Sequence, residues 1–299
     1  MINPLSRFFK DTKPSGQLLA LLLLLVVAFV LTGVVSVLVS DLCNASEARS
    51  SKLLLLSVQS VFVFLVPALF FSVLFYDKPG EFLQTDFRCR QWVKGGVAMV
   101  ALLLLIPVTG WLGYWNSGWH LPTLLEDKEL ALRAIVDRSE QELSLLLSVS
   151  DVVSLLANIC VVAMLPAICE EFFFRGCVQQ ILLRRIRNPH VAVFLSALVF
   201  SLAHGDFWGL VPRCVLGVAL GYLFYYSGSI VVNICAHFAN NALIVFLSFL
   251  NDKGTITIDV AGDFLLPWWL VIIATAMSAV LFWTVCVPNG LRRTKSKGK

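Results

Sequence analysis

Charged residues are scarce in this sequence. Asp, Glu, Lys and Arg make up 14% of the 299 residues, where a soluble globular domain carries nearer a quarter. That shortage argues against an ordinary water-soluble fold. The formal net charge is only +4 and gathers in loops and the tail, so it speaks to topology and not to nucleic acid. No two of the eight cysteines form a CxxC pair. They are scattered at Cys43, Cys89, Cys160, Cys169, Cys177, Cys214, Cys235 and Cys286, mostly in apolar runs. A thiolate metal cluster and a disulfide framework are both disfavoured, and small buried hydrophobes fit better. There is no HExxH, no internal repeat, and no low-complexity segment beyond leucine runs. No cleavable signal peptide is evident, because the first apolar run is too long for one and reads as a spanning helix.

What is abundant is hydrocarbon. Apolar residues form 58% of the chain and the mean hydropathy is +0.84. The expected class is all-α, a polytopic membrane protein of about eight transmembrane helices around an intramembrane catalytic cavity. Apolar runs fall at 17–40, 53–76, 92–115, 144–186, 191–204, 207–226, 230–250 and 264–287. The run at 144–186 exceeds the roughly 20 residues that one crossing needs, and a bend or break is expected near Pro166. The acidic pair after it would then sit in the first turns of a new helix, where the helix dipole favours negative charge. Between the third and fourth runs, 116–142 is rich in acids, among them Glu126, Asp127, Glu129, Asp137, Glu140 and Glu142. Its leucines recur near helical spacing, which predicts a short amphipathic surface helix, either a connector or a lid. Asn44-Ala45-Ser46 is a glycosylation sequon that matters only in a eukaryotic secretory pathway.

Basic residues concentrate in the N-terminal lead, at Arg88, Arg90 and Lys94, in the turn Arg184–Arg187, and in the tail. With the positive-inside rule, eight crossings then place both termini in the cytoplasm. Three regions follow: 1–143 with three spans and the acidic connector, 144–250 as the catalytic core, and 251–299 with the last span and basic tail.

Polar groups inside the apolar C-terminal half are the unusual feature. Glu170, Glu171 and Arg175 come first, then His204, then Asn233, His237, Asn240 and Asn241. Ionised groups in hydrocarbon are costly and default to a functional hypothesis. Arg175 lies four residues after Glu171, so the two share a helix face and could form a merely structural pair. Glu170 and His204 each lie 14 residues from the same basic turn, at Arg184 and His190, hence roughly 20 Å from it at helical rise. His237 and Asn241 share a face of a later helix. Such groups around one cavity suit the addition of water to a carbonyl, with carboxylate and imidazole as base and a second His and an Asn as oxyanion donors.

Three ordered motifs resemble those of the CPBP family, the CAAX-type and bacteriocin-processing intramembrane proteases. They are Glu170-Glu171-Phe172-Phe173-Phe174-Arg175, Phe200 to His204, and His237 to Asn241. The resemblance covers about 144–250; the first three spans carry no signature. It implies an intramembrane endopeptidase in which Glu170 and His204 activate water. His237 and Asn241 would stabilise the oxyanion, with Glu171 and Arg175 supporting. No cofactor is expected; a zinc site of Glu170, His204 and His237 is the alternative. The implied partners are the lipid bilayer and a membrane-anchored protein or peptide substrate, with no nucleic acid. A bacterial inner membrane is the expected location. The competing readings are a non-catalytic membrane scaffold and a transporter using the same polar cluster. Against the transporter, no second broken helix pairs with the Pro166 segment.

Overall fold

The computed structural model describes residues 6–9, 11–43, 49–85, 89–256 and 266–296. The Asn44 sequon, Arg88, Asp263 and the last three tail residues lie outside them. Among the described residues every regular element is helical, as a bilayer requires, since a helix satisfies its own backbone N–H and C=O groups. In chain order the helices are α1 (Ser6–Phe9), α2 (Pro14–Cys43), α3 (Arg49–Phe75), α4 (Pro79–Leu83), α5 (Cys89–Leu103) and α6 (Ile106–Ser117). There follow α7 (Glu126–Leu147), α8 (Val152–Arg185), α9 (Pro189–Leu202), α10 (Leu210–Ser227), α11 (Ile230–Asp252) and α12 (Trp268–Ser296). Among the described residues seven segments are long and apolar enough to cross a membrane. The chain is therefore an all-α multi-pass membrane protein.

The apolar run expected at 191–204 is α9, with 14 residues. At helical rise it reaches only about 21 Å, short of a hydrocarbon core of about 30 Å. It starts sharply, because Pro189 fits a first helical turn and the Asn188 side chain accepts the His190 N–H at 2.9 Å.

Two expectations about 144–186 are corrected. The stretch does not start as one helix at 144: α7 runs on to Leu147, four residues intervene, and α8 begins after Asp151. Asp151 caps it by accepting the Ser154 N–H at 2.9 Å. Of the bend or break expected near Pro166, the break does not occur. Backbone angles stay right-handed helical on both sides, and the chain widens into π-helical turns at Ile159–Met164 and Glu171–Gln179. Such turns relieve an i−4 clash and a missing N–H without ending the helix. The acids therefore sit mid-helix, not at an N-terminus. The connector helix α7 is also longer than expected, with 22 residues.

Packing joins the halves of the chain. Phe71, Phe75, Phe82, Phe173, Phe174 and Phe200 share one buried cluster drawn from α3, α4, α8 and α9. Helices α9 and α10 meet through glycine. A β-carbon on Gly217 would lie 3.0 Å from the Ala197 Cβ, and one on Gly221 would lie 2.8 Å from Val193 Cγ1. Close approach through small residues is how membrane helices gain contact area where lipid supplies no hydrophobic drive.

The connector is clamped to the turn after α9. Glu129 accepts the Leu121 N–H at 2.7 Å and Arg133 Nε at 2.9 Å. Arg133 stacks over the Trp208 ring at 4.1 Å, and the Trp208 indole N–H donates to the Trp119 carbonyl at 2.9 Å.

Two outcomes are expected. Gly221→Leu forces α9 and α10 apart and costs about 1–3 kcal/mol, read as a lower thermal midpoint in detergent; an unchanged midpoint contradicts the close packing. Glu129 is held below its ordinary value of 4.5, first by the Leu121 N–H and then by Arg133. A depressed carboxylate stabilises fully above its unfolded value and loses that contribution as pH falls through the folded one. Hydrogen-exchange protection of 117–133, corrected for intrinsic rates, should be flat above pH 4.5 and decline below it. Glu129→Gln should lower protection throughout and remove the decline.

Candidate active site

Adjacent residues on a helix point about 100° apart, so Glu170 and Glu171 face different surroundings. Glu171 points into the protein and is 0% exposed on its side chain; Arg175, four residues on, is 1% exposed. Arg175 Nη1 donates to Glu171 Oε1 at 2.9 Å and Nη2 donates to the Gly217 carbonyl at 3.2 Å. The guanidinium lies over the Phe200 ring at 4.6 Å, so its face is also occupied.

Glu171 is the hub. His237 Nδ1 lies 2.9 Å from Oε1, and Asn233 Nδ2 donates to Oε2 at 3.1 Å. With guanidinium and amide both donating to it, the carboxylate acts as acceptor only, so His237 carries its proton on Nδ1. Nε2 is left facing Glu170 Oε2 at 3.9 Å, too far for a hydrogen bond.

The other expected residues are placed less tightly. His204 does not end a spanning helix; it follows the C-terminus of α9, in a turn, with an exposed side chain. Its Nδ1 lies 2.9 Å from the Phe200 carbonyl oxygen, and its ring packs edge-on against the Phe200 ring at 5.0 Å. The same Phe200 ring is 6.0 Å from the His237 ring, so both imidazoles pack against one phenyl group. Asn241, partly exposed one turn beyond His237, accepts from Asn240 Nδ2 at 3.3 Å. Glu170, Glu171, Arg175 and His237 are brought together, and His204 stands one ring away.

Sequence reasoning missed two residues. Asn116 was counted only as the start of a polar loop, yet it is fully buried. Its amide donates to the Phe207 carbonyl at 3.2 Å and accepts the Val211 N–H at 2.8 Å. Both ends of one side chain thus hold the turn that bears His204. Asn233 was noticed as a buried polar group without a role; its spacing of four from His237 was the available signal. A cavity of about 340 Å³ lies beside this turn, lined by Gly113, Arg133, Asp137, Glu140, Asp206 and Arg213 among others.

A zinc site of Glu170, His204 and His237 would need the three side chains to meet at one point. Among the described residues no three His, Cys, Asp or Glu side chains are grouped as metal ligands. Glu170 and His237 converge, while the His204 Nδ1 turns to a backbone carbonyl.

Breaking the buried pair is expected to be severe. Arg175→Leu leaves Glu171 without its counter-charge and costs about 3–5 kcal/mol, whereas the double change Glu171→Leu with Arg175→Met regains much of that. Chemical denaturation in detergent tests this. A double variant no more stable than Arg175→Leu contradicts it.

Residues 152–243 match the model of a family described as type II CAAX prenyl endopeptidase Rce1-like. The chain is also similar to the membrane-embedded CAAX protease MroQ of Staphylococcus aureus (strain USA300), with 26% identity over 98 residues. That match covers 31% of this chain and 40% of the relative, so the chain spans less than half of the curated relative it matches. No solved structure matches. All three motifs lie within the matched stretch, and the resemblance read from them is shown there: this part of the chain is similar to the CAAX-type intramembrane proteases of the CPBP family.

Proposed function

We propose that this chain is an intramembrane endopeptidase that hydrolyses a peptide bond in a membrane-anchored protein or peptide. The observation that supports it most is Glu170 facing His237 Nε2 at 3.9 Å while Glu171 fixes the other ring nitrogen. Nothing in a purely structural ion pair calls for a second carboxylate aimed at the same imidazole.

In this reading Glu170 with His204 removes a proton from the attacking water. The substrate carbonyl then becomes an oxyanion, met by His237 Nε2 and the Asn241 amide; it collapses as the C–N bond breaks, and the proton taken from water passes to the leaving amine nitrogen. With Nδ1–H committed to Glu171, His237 donates from Nε2 only when the ring carries both protons, and the Glu171 carboxylate compensates that charge. Phe200 contacts both imidazoles and covers the Arg175 face. His204 sits in a turn, so a substrate strand entering beside it completes the geometry.

The same reading sets the location. A bacterial inner membrane with both termini cytoplasmic needs an even number of crossings. Seven long spans supply an odd number, so α9 with the 203–209 turn must complete the eighth. In this reading its shortness would leave His204 below the membrane surface.

The test is cleavage of a pool of membrane-anchored peptides by purified full-length protein in liposomes, read by mass spectrometry. Glu170→Gln and His204→Ala should each lower the rate by about 10²-fold or more, with wild-type cleavage kept in chelator. Loss in chelator and recovery with zinc would make these residues ligands instead. Unchanged cleavage in both variants overturns the assignment.

A further inference from the structure

We propose that Asn233 is a positioning residue for the reaction, acting through Glu171 to set the tautomer and orientation of His237; the inference rests on the endopeptidase reading. Asn233 is fully buried on α11, one turn before His237. Its amide nitrogen donates twice, to Glu171 Oε2 at 3.1 Å and to the Leu220 carbonyl of α10 at 2.7 Å. Both partners are pure acceptors, so the amide can lie only with its NH₂ towards them; a flipped group would set oxygen against oxygen twice.

The consequence falls on the carboxylate. Oε1 is shared by Arg175 and His237, and Oε2 is held by Asn233 alone among these three. Without Asn233 the carboxylate can rotate about its last torsion, a broad and soft one, and turn both oxygens towards the guanidinium in a bidentate pair. His237 would then lose its acceptor at Nδ1, and Nε2 would lose its fixed aim at Glu170. Asn233 thus ties three helices together: α8 through Glu171, α10 through Leu220, and α11 through its own backbone. Its own Oδ1 is buried and finds no partner among the described residues. That is a cost a residue kept only for packing would not need to carry, since Leu would fill similar volume.

The experiment compares wild type with Asn233→Leu in the full chain in liposomes, using one membrane-anchored peptide chosen from those wild type cleaves. The kcat per folded molecule should fall roughly ten- to hundredfold, as for misaimed catalytic groups, with KM within roughly twofold. In parallel, histidine is labelled with 15N, and the His237 signals are identified among the four histidines by their loss in His237→Gln. Wild type should show Nδ1 protonated, and Asn233→Leu should lose that signature. A folded Asn233→Leu that keeps the wild-type kcat, or the wild-type His237 spectrum, overturns the proposal. If Asn233→Leu does not fold, Asn233→Asp keeps the shape and removes both donors, and the same readouts apply. If wild type cleaves no peptide, the endopeptidase reading fails, while the spectra still decide whether Asn233 sets the His237 tautomer.

Discussion

An ionised carboxylate with no exposed surface, placed midway along a membrane-spanning helix, constrains everything around it. Glu171 must be met by donors on every side, because desolvation of a charge costs several kcal/mol even after relaxation. Arg175 supplies the counter-charge from the same helix, Asn233 and His237 reach in from α11, and Gly217 on α10 offers a bare carbonyl to the guanidinium. The glycine-lined contact of α9 with α10 brings the Phe200 ring against Arg175. Buried pairs of this kind are poor sources of stability, since apolar replacements of similar volume are often as stable. Under the proposed hydrolysis, the pair serves as the fixed frame of a reacting imidazole.

The frame also divides labour between neighbours. Glu170 and Glu171 are chemically identical and adjacent, yet a rotation of 100° gives them opposite roles. One is saturated with donors, and the other keeps an oxygen turned towards His237. His204 comes from a different kind of structure, a turn after a short helix. Its position depends on Asn116 and on Arg133, which stacks over Trp208; Asn116 and Arg133 lie outside the stretch that matches the protease family. The N-terminal half of the chain is therefore coupled to the site, although it carries none of the three motifs.

Much of this was legible in the sequence because its physics is local. Leucine runs announce spans, and a spacing of four announces the Glu171–Arg175 pair. What was illegible depended on competition or distance. Pro166 is a helix breaker by propensity, but in a bilayer a broken backbone has no water to satisfy it, and π-helical turns absorb the strain. The depth argument placed Glu170 opposite His204 by assuming a helix up to residue 204. The helix ends at Leu202 and His204 follows in a turn, while Glu170 faces His237 Nε2 at 3.9 Å. Asn116 carries no local signal, because its partners Phe207 and Val211 lie about 90 residues away.

The central claim is that water, activated inside the membrane by this cluster, hydrolyses a peptide bond. Cleavage of a membrane-anchored peptide by the purified chain in water enriched in oxygen-18 tests it most directly. The account predicts one labelled oxygen in the new C-terminal carboxyl group, and no labelled product with Glu170→Gln. An intact peptide, or a cleaved product without the label, would contradict it.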